Sequence, residues 1–146
     1  MKKLFLITFS IFLLLGCSSS ISAIREHPVR YNGKSISLHG DVTETISIPL
    51  SGTMIFVLYD KTGSIPVFTT QKRTTGDEIK LKARVIAIEN SEAIGNVENV
   101  AEKITDYLKE ANLLQGKIVD LTALGIGRVV KVVLEKTQGS YFLIEE

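Results

Sequence analysis

The chain contains few of the residues from which reactive centres are usually built. Its 146 residues include one cysteine, two histidines and three prolines, and the formal net charge is +1. A single cysteine cannot form an internal disulfide, so the folded domain must be stabilised by its hydrophobic core. His27 and His39 are twelve positions apart with no second cysteine nearby, which is not a metal-ligand spacing. We therefore expect no metal site and no other cofactor.

Catalytic motifs are also missing from the sequence. The three serines at 18 to 20 are not flanked by the glycines of a nucleophile elbow. Asp60 has no identifiable carboxylate partner for acid–base catalysis, and we interpret it as the cap of its own turn. We interpret Gly63, at the end of that turn, as the source of an unusual backbone angle. We expect a protein that is not an enzyme, and the alternative that stays open is an undetected hydrolase whose catalytic groups are brought together only by the fold.

The N-terminus has the layout of an export signal. Lys2 and Lys3 precede an apolar run of twelve residues at 4–15, LFLITFSIFLLL, and the small residues Gly16 and Cys17 follow it. A permanent transmembrane helix needs about 20 apolar residues, so this run is short for a membrane span. The pattern predicts that the body of the protein is exported.

The motif LLGC at 14–17 resembles the bacterial lipobox. The resemblance implies a lipoprotein in which the thiol of Cys17 receives a diacylglycerol, the signal peptide 1–16 is cleaved, and the new amino terminus is acylated, with palmitate for example. Residues 17–32 are then expected to be the lipidated N-terminus and a tether, and residues 33–146 a folded domain. The implied location is extracytoplasmic, on the cell membrane or the outer membrane. Ser18, which is not aspartate, favours the outer membrane if the source is Gram-negative.

Charge limits the choice of partners. Cleavage after Gly16 removes Lys2 and Lys3, which leaves 15 basic residues against 16 acidic residues. A body so close to neutral counts against nucleic acid as a partner. The expected partners are membrane lipid through Cys17 and, for the folded domain, an envelope protein or glycan.

The mature chain has the periodicity of a mainly β domain with one helix. Apolar residues alternate with polar residues at 34–50 and again at 74–89, which predicts two half-buried strands. Between them, TMIFVLYD at 53–60 and SIPVFTT at 64–70 are joined by the turn DKTG, which predicts a β-hairpin. Gly40 interrupts the first alternating run and predicts a bulge or a tight bend.

The period then changes to that of a helix. Apolar residues recur at three and four positions over about 97–114, with Asn96 as a possible cap and Gly116 as the expected end. KIVDLTAL at 117–124 and GRVVKVVLEKT at 127–137 follow, and we expect the second of these to be the closing strand. SYFLIEE at 140–146 is predicted as a further short strand.

The first four strands resemble the OB-fold pattern, a small β-barrel. The segments that carry the resemblance are HGDV at 39–42, IFVLYDKTGSIPVFT at 55–69 and GDEIKLKARV at 76–85. They are most similar to small exported OB-fold lipoproteins, and they imply a barrel of five or more strands. The chain departs from the usual pattern because its helix follows the fourth strand.

One surface of such a barrel is a candidate binding face. Three cations alternate along the outward side of the fourth strand, two more lie in the loop before it, and two aromatic residues of the hairpin would add stacking if they were exposed. The candidate residues are Tyr59, Phe68, Lys72, Arg73, Lys80, Lys82 and Arg84. We expect a membrane-anchored, non-enzymatic binding module of the cell envelope, and the open alternative for this face is single-stranded nucleic acid at the cell surface.

Overall fold

The computed structural model describes residues 19–48, 52–87, 97–113, 135 and 141–146. Residues 1–18, which include the predicted signal peptide and Cys17, lie outside these ranges. The described part has three helices, α1 (Ile21–Glu26), α2 (Pro28–Tyr31) and α3 (Val97–Glu110). It has five strands, β1 (Ser35–Ser47), β2 (Met54–Tyr59), β3 (Ser64–Thr69), β4 (Glu78–Ala87) and β5 (Tyr141–Glu145).

The five strands form a closed barrel in the order β1-β2-β3-β5-β4. The long strand β1 pairs antiparallel with both β2 and β4, while β5 is antiparallel to β4 and parallel to β3. This is an OB-like barrel, and α3 follows β4, so the predicted fold class is confirmed. The strand that closes it is Tyr141–Glu145. The predicted closing strand 127–137 lies outside the described residues except for Glu135, which has helical backbone.

Strand β1 bends through a bulge and a glycine contact. Its buried side chains alternate as predicted up to Val42, and the register with β2 then shifts between Val42 and Glu44. The bulge is therefore not at Gly40, where the sequence suggested it. Gly40 has a different role, because a Cβ atom there would lie 2.4 Å from the carbonyl oxygen of Tyr59. Only glycine allows β1 to approach β2 this closely.

Two hydrophobic cores lie on the two sides of the barrel wall. The inner core fills the barrel with side chains from all five strands, such as Leu38, Phe56 and Leu143. The outer core lies between the wall and α3, where Ile104 and Leu108 are fully buried against the strands. This is why β2 is apolar along both faces, from Ile55 to Leu58.

The segment predicted as a tether is in part a structured cap. Ile21 and Ile24 of α1 are fully buried and belong to the inner core. Helix α2 follows α1 and leads into β1. Just before β1 begins, the Gly33 N–H donates a hydrogen bond to the carbonyl oxygen of Val85 in β4, at 2.7 Å. The tether prediction is thus wrong from Ile21 onward, because two isoleucines three positions apart close one end of the barrel.

The β2–β3 turn and the end of α3 each use a left-handed residue, though not the ones predicted. The positive φ of the turn belongs to Lys61 (φ 73°), so the interpretation of Gly63 was wrong. Gly63 instead lies where a side chain would collide with Arg25. Helix α3 ends at Glu110 and is followed by Asn112 with φ 55°, so Gly116 does not end it.

Candidate functional site

The predicted basic strand lies on the outer surface of the barrel. In the β1–β4 pairing, Ser35 is opposite Arg84, Ser37 is opposite Lys82 and His39 is opposite Lys80. Directly opposed residues of antiparallel strands project from the same face. All three cations are exposed, so Lys80, Lys82 and Arg84 share one surface, as the alternation indicates.

Two carboxylates lie beside the basic residues of this surface. Glu146 pairs with Arg84 (Nη2 to Oε1, 3.1 Å) and lies 3.6 Å from the Nζ of Lys82. Glu78 pairs with the Nε2 of His39 at 2.9 Å, on the same strand as Lys80. A single-stranded nucleic acid would have to compete with Glu146 for Lys82 and Arg84.

Glu146 is held in its charged form by its neighbours. The Ser35 hydroxyl donates to both carboxylate oxygens of Glu146, at 2.9 and 2.8 Å. That hydrogen bond is the largest influence on the Glu146 carboxyl, and with Arg84 and Lys82 it outweighs partial desolvation and lowers the pKa of Glu146. The group is therefore an anchor for cations and a weak proton acceptor.

The two aromatic candidates do not form one exposed surface. Tyr59 is 40% exposed at the end of β2, opposite Asp41. Phe68 is 1% exposed, because it lies beneath α3 and packs edge-to-face on Phe142 with ring centroids 5.1 Å apart. Phe68 cannot stack on a ligand, so the predicted groove of aromatic and basic residues does not form.

The remaining two candidates lie in the β3–β4 loop. Lys72 is exposed, whereas Arg73 is partly buried and forms an ion pair with Glu145 of β5. The Glu145 side chain is only 6% exposed, and both Arg73 Nε and Glu145 Oε2 are buried without a hydrogen-bond partner. These two atoms are the ones that a side-on, bidentate guanidinium–carboxylate pair joins to each other. We assign this pair to closure of the barrel between the loop and β5.

Helix α3 covers a surface that OB barrels use for ligands. OB folds bind oligonucleotides and oligosaccharides across strands 2 and 3. Here the outer side of those strands carries Ile55, Val57 and Phe68, which are buried against Ile104 and Leu108 of α3. This side of the barrel is therefore covered by the protein's own helix.

The candidate site is a cleft of about 460 Å³ between the C-terminal half of α3 and the barrel. Its volume is within the usual range for small-molecule pockets. The apolar floor comes from Ile86 and Ile144, and the polar rim comes from four separate parts of the chain. The polar rim consists of Asn32, Ser35, Arg84, Tyr107, Glu110, Glu145 and Glu146.

The lining of the cleft offers hydrogen-bond donors, acceptors and an aromatic ring. Arg84 offers a planar set of donors, and the carboxylates of Glu110 and Glu146 accept hydrogen bonds from hydroxyl or amino groups. Tyr107 adds an aromatic ring to the lining of the cleft. This ring packs edge-to-face on Phe142 of the outer core, with ring centroids 6.2 Å apart. Sequence reasoning identified Arg84 but missed the cleft, because its rim is assembled from segments that are distant in the chain.

Comparisons with known proteins give little information beyond the fold. No family model matches the chain, and no curated protein matches it either. Among solved structures it is similar to an aspartyl tRNA synthetase from Entamoeba histolytica, with a TM-score of 0.41 and 8% identity. That match covers 79% of this chain and 32% of the synthetase, so the chain spans about a third of that protein's length.

The described residues show neither a membrane span nor a metal cluster. Within them, no helix combines the length and the apolar character needed to cross a membrane. Nor do any three histidine, cysteine, aspartate or glutamate side chains of that part of the chain lie together as potential metal ligands.

Proposed function

We propose that this protein is a lipid-anchored, non-enzymatic binding module of the bacterial cell envelope. The observation that carries the proposal is the motif LLGC at 14–17, placed directly after a short basic and apolar leader. Acylation of Cys17, together with acylation of the new amino terminus, gives at least two chains, and two lipid signals are needed for stable anchoring.

Mass spectrometry of the mature protein tests the anchor. We expect a diacylglycerol on the Cys17 sulfur and an amino terminus that begins at Cys17. A Cys17→Ala variant should keep its signal peptide and lose incorporation of labelled palmitate. An unmodified Cys17 thiol, or a mature protein that retains Met1 to Gly16, would overturn the proposal.

For the ligand we propose the cleft beside α3. Its size, apolar floor and mixed charged rim favour a small polar ligand, such as a glycan fragment, or a short segment of an envelope protein. Photo-crosslinking in cells from an aromatic azide at position 107 should capture a partner, and Arg84→Ala should reduce that capture. Lys72→Ala, at the β3–β4 loop, is the matched control and should leave capture unchanged.

Single-stranded nucleic acid is the second candidate function. The exposed cations Lys80, Lys82 and Arg84 favour it, while Glu78, Glu146 and the burial of Phe68 count against it. Salt-sensitive retention of an oligonucleotide that disappears in the triple alanine variant would establish this function. No retention at low salt would dismiss it.

An envelope hydrolase is the third candidate. Its best nucleophile–base pair among the described residues is Ser35 with Glu146, which hydrogen-bond in the cleft. A carboxylate with a lowered pKa is a poor base for a serine hydroxyl, which counts against this function. Hydrolysis of envelope esters or amides that is lost in Ser35→Ala would be needed to support it.

A further inference from the structure

The chain is fixed to the barrel almost immediately after Cys17. The Ser20 hydroxyl caps α1 by accepting from the Ala23 N–H at 3.2 Å. The Ile21 N–H donates to Asp60 Oδ2 at 2.8 Å, and the Ser22 N–H donates to Thr62 Oγ1 at 3.0 Å. These bonds attach the start of α1 to the β2–β3 turn.

Covalent geometry then limits how far the lipid can be from the barrel. Cys17 is two positions before Ser19, the first described residue. An extended chain spans at most about 3.6 Å per residue, so the Cα atom of Cys17 is within about 7 Å of that of Ser19. A flexible tether of the predicted length would lift the domain away from the bilayer, but the structured cap removes most of that length.

We propose that the lipid on Cys17 holds the barrel directly against the membrane, with the end closed by α1 and α2 facing the bilayer. The proposal depends on the lipidation of Cys17 proposed above, and it adds a defined membrane-contacting surface. We name this surface the cap surface: the exposed side chains of α1, α2, the start of β1, the end of β2 and the β2–β3 turn.

The cap surface has the chemistry of a membrane contact. Val29 (71% exposed) and Tyr59 (40% exposed) are the two large apolar side chains that the described part of the chain leaves exposed. Val29 lies in α2, and Tyr59 directly precedes Asp60, so both belong to this end of the barrel. Tyrosine is favoured at membrane–water interfaces because its ring is apolar and its hydroxyl is polar.

Its charge also favours anionic lipid. Arg30, Lys34 and Lys61 are exposed at this end, and the exposed acidic side chains beside them are Glu26 and Asp41, which is opposite Tyr59. Basic residues close to a membrane are attracted to anionic headgroups within a Debye length. The opposite end of the barrel, which includes the β3–β4 loop, cannot reach the bilayer while Cys17 is inserted at the cap.

Headgroup quenching measures this orientation. Lys61→Cys in the cap and Lys72→Cys in the β3–β4 loop are matched exposed lysines, and each provides one free thiol because lipid occupies the Cys17 sulfur. Each full-length, processed variant is labelled with a fluorophore and reconstituted in anionic vesicles that carry nitroxide on the headgroups. We expect several times stronger quenching at position 61 than at position 72. Equal quenching, or stronger quenching at 72, would overturn the proposed orientation.

Two further measurements separate this proposal from the anchor. Vesicle flotation and the mass at Cys17 report the anchor: a free thiol and no flotation would overturn the anchoring, and the orientation with it. Flotation with equal quenching would overturn the orientation alone. A flexible Gly/Ser linker of about twelve residues inserted after Ser18 should reduce quenching at position 61 while flotation persists. Unchanged quenching would show that the short connection does not determine the orientation.

Discussion

Replacement of Asp60 should destabilise the protein and release its N-terminal cap. Asp60 accepts hydrogen bonds from the Thr62 hydroxyl and from the N–H groups of Thr62 and Gly63, and a fourth from the Ile21 N–H of α1. Hydrogen bonds to a charged group contribute about 1.5–3 kcal/mol each when buried, and less at a partly exposed site. For Asp60→Ala we expect a loss of about 2–4 kcal/mol in the free energy of unfolding.

Urea unfolding and limited proteolysis together measure the effect. The control is Asp77→Ala, which removes a turn aspartate that accepts from Thr74 within its own loop. Asp60→Ala should lower the unfolding midpoint and accelerate trypsin cleavage after Arg25, whereas Asp77→Ala should do neither to a comparable degree. Equal effects of the two variants would refute the assignment of Asp60 as the link between turn and cap.

The same contact gives a pH dependence with a defined sign. Partial burial raises the pKa of Asp60, but the Thr62 hydroxyl and the N–H groups of Ile21, Thr62 and Gly63 outweigh it, so the folded-state pKa is lowered. The stabilisation is therefore present above the unfolded-state pKa of an aspartate and is lost as the pH falls through the lowered value. The stability difference between wild type and Asp60→Asn should shrink on acidification. A difference that is constant with pH would contradict this.

Three further predictions concern packing and surface charge. Gly40→Ala should cost about 1–3 kcal/mol in urea unfolding, because its Cβ would collide with the Tyr59 carbonyl oxygen; a neutral result would contradict the close approach of β1 and β2. Leu108→Ala should cost about 2–5 kcal/mol, because Leu108 is fully buried in the outer core; a loss below this range in the same assay would mean that α3 packs loosely. Glu146→Gln should cost at most about 1 kcal/mol, because its cations are exposed, and a larger loss would contradict that estimate.

Strand periodicity identified the first four strands of the barrel, but not the strand that closes it. The alternation in β1 and β4 predicts which side chains point inward, because one face of each strand is in water for much of its length. Strand β5 has no such alternation: Tyr141 to Ile144 are all buried, since one side faces the inner core and the other faces α3. A short apolar run of this kind does not reveal its pairing partner.

The cap was missed because its stabilising contacts are long-range. Ile21 and Ile24 are only two apolar residues in a serine-rich segment, which is too short a pattern to predict a packed helix. The group that fixes α1, Asp60, is 39 positions away in the sequence. The turn role of Asp60 was predictable locally, but its contact with the Ile21 N–H of α1 was not.

Some residues of the candidate binding face were also predictable from the sequence, and others were not. The cations of β4 were predictable because a strand determines which of its residues share a face. The burial of Phe68 was not predictable, because Phe68 is covered by α3, which lies about thirty residues further along the chain. The compensating carboxylates of Glu145 and Glu146 were also missed, because only the β4–β5 pairing brings them beside Arg73, Lys82 and Arg84.

The two proposals constrain each other through the position of the cleft. Asn32 and Ser35 line the cleft and also lie where α2 enters β1, at the end of the barrel that bears the cap surface. If that end contacts the bilayer, the mouth of the cleft lies close to the headgroups. A ligand would then approach along the membrane surface, which favours a membrane-attached glycan or protein segment over a freely diffusing one. Crosslinking from position 107 should therefore be stronger in the lipidated protein than in a soluble Cys17→Ala form without its leader. Equal crosslinking in the two forms would show that ligand capture at the cleft does not depend on the orientation of the barrel at the membrane.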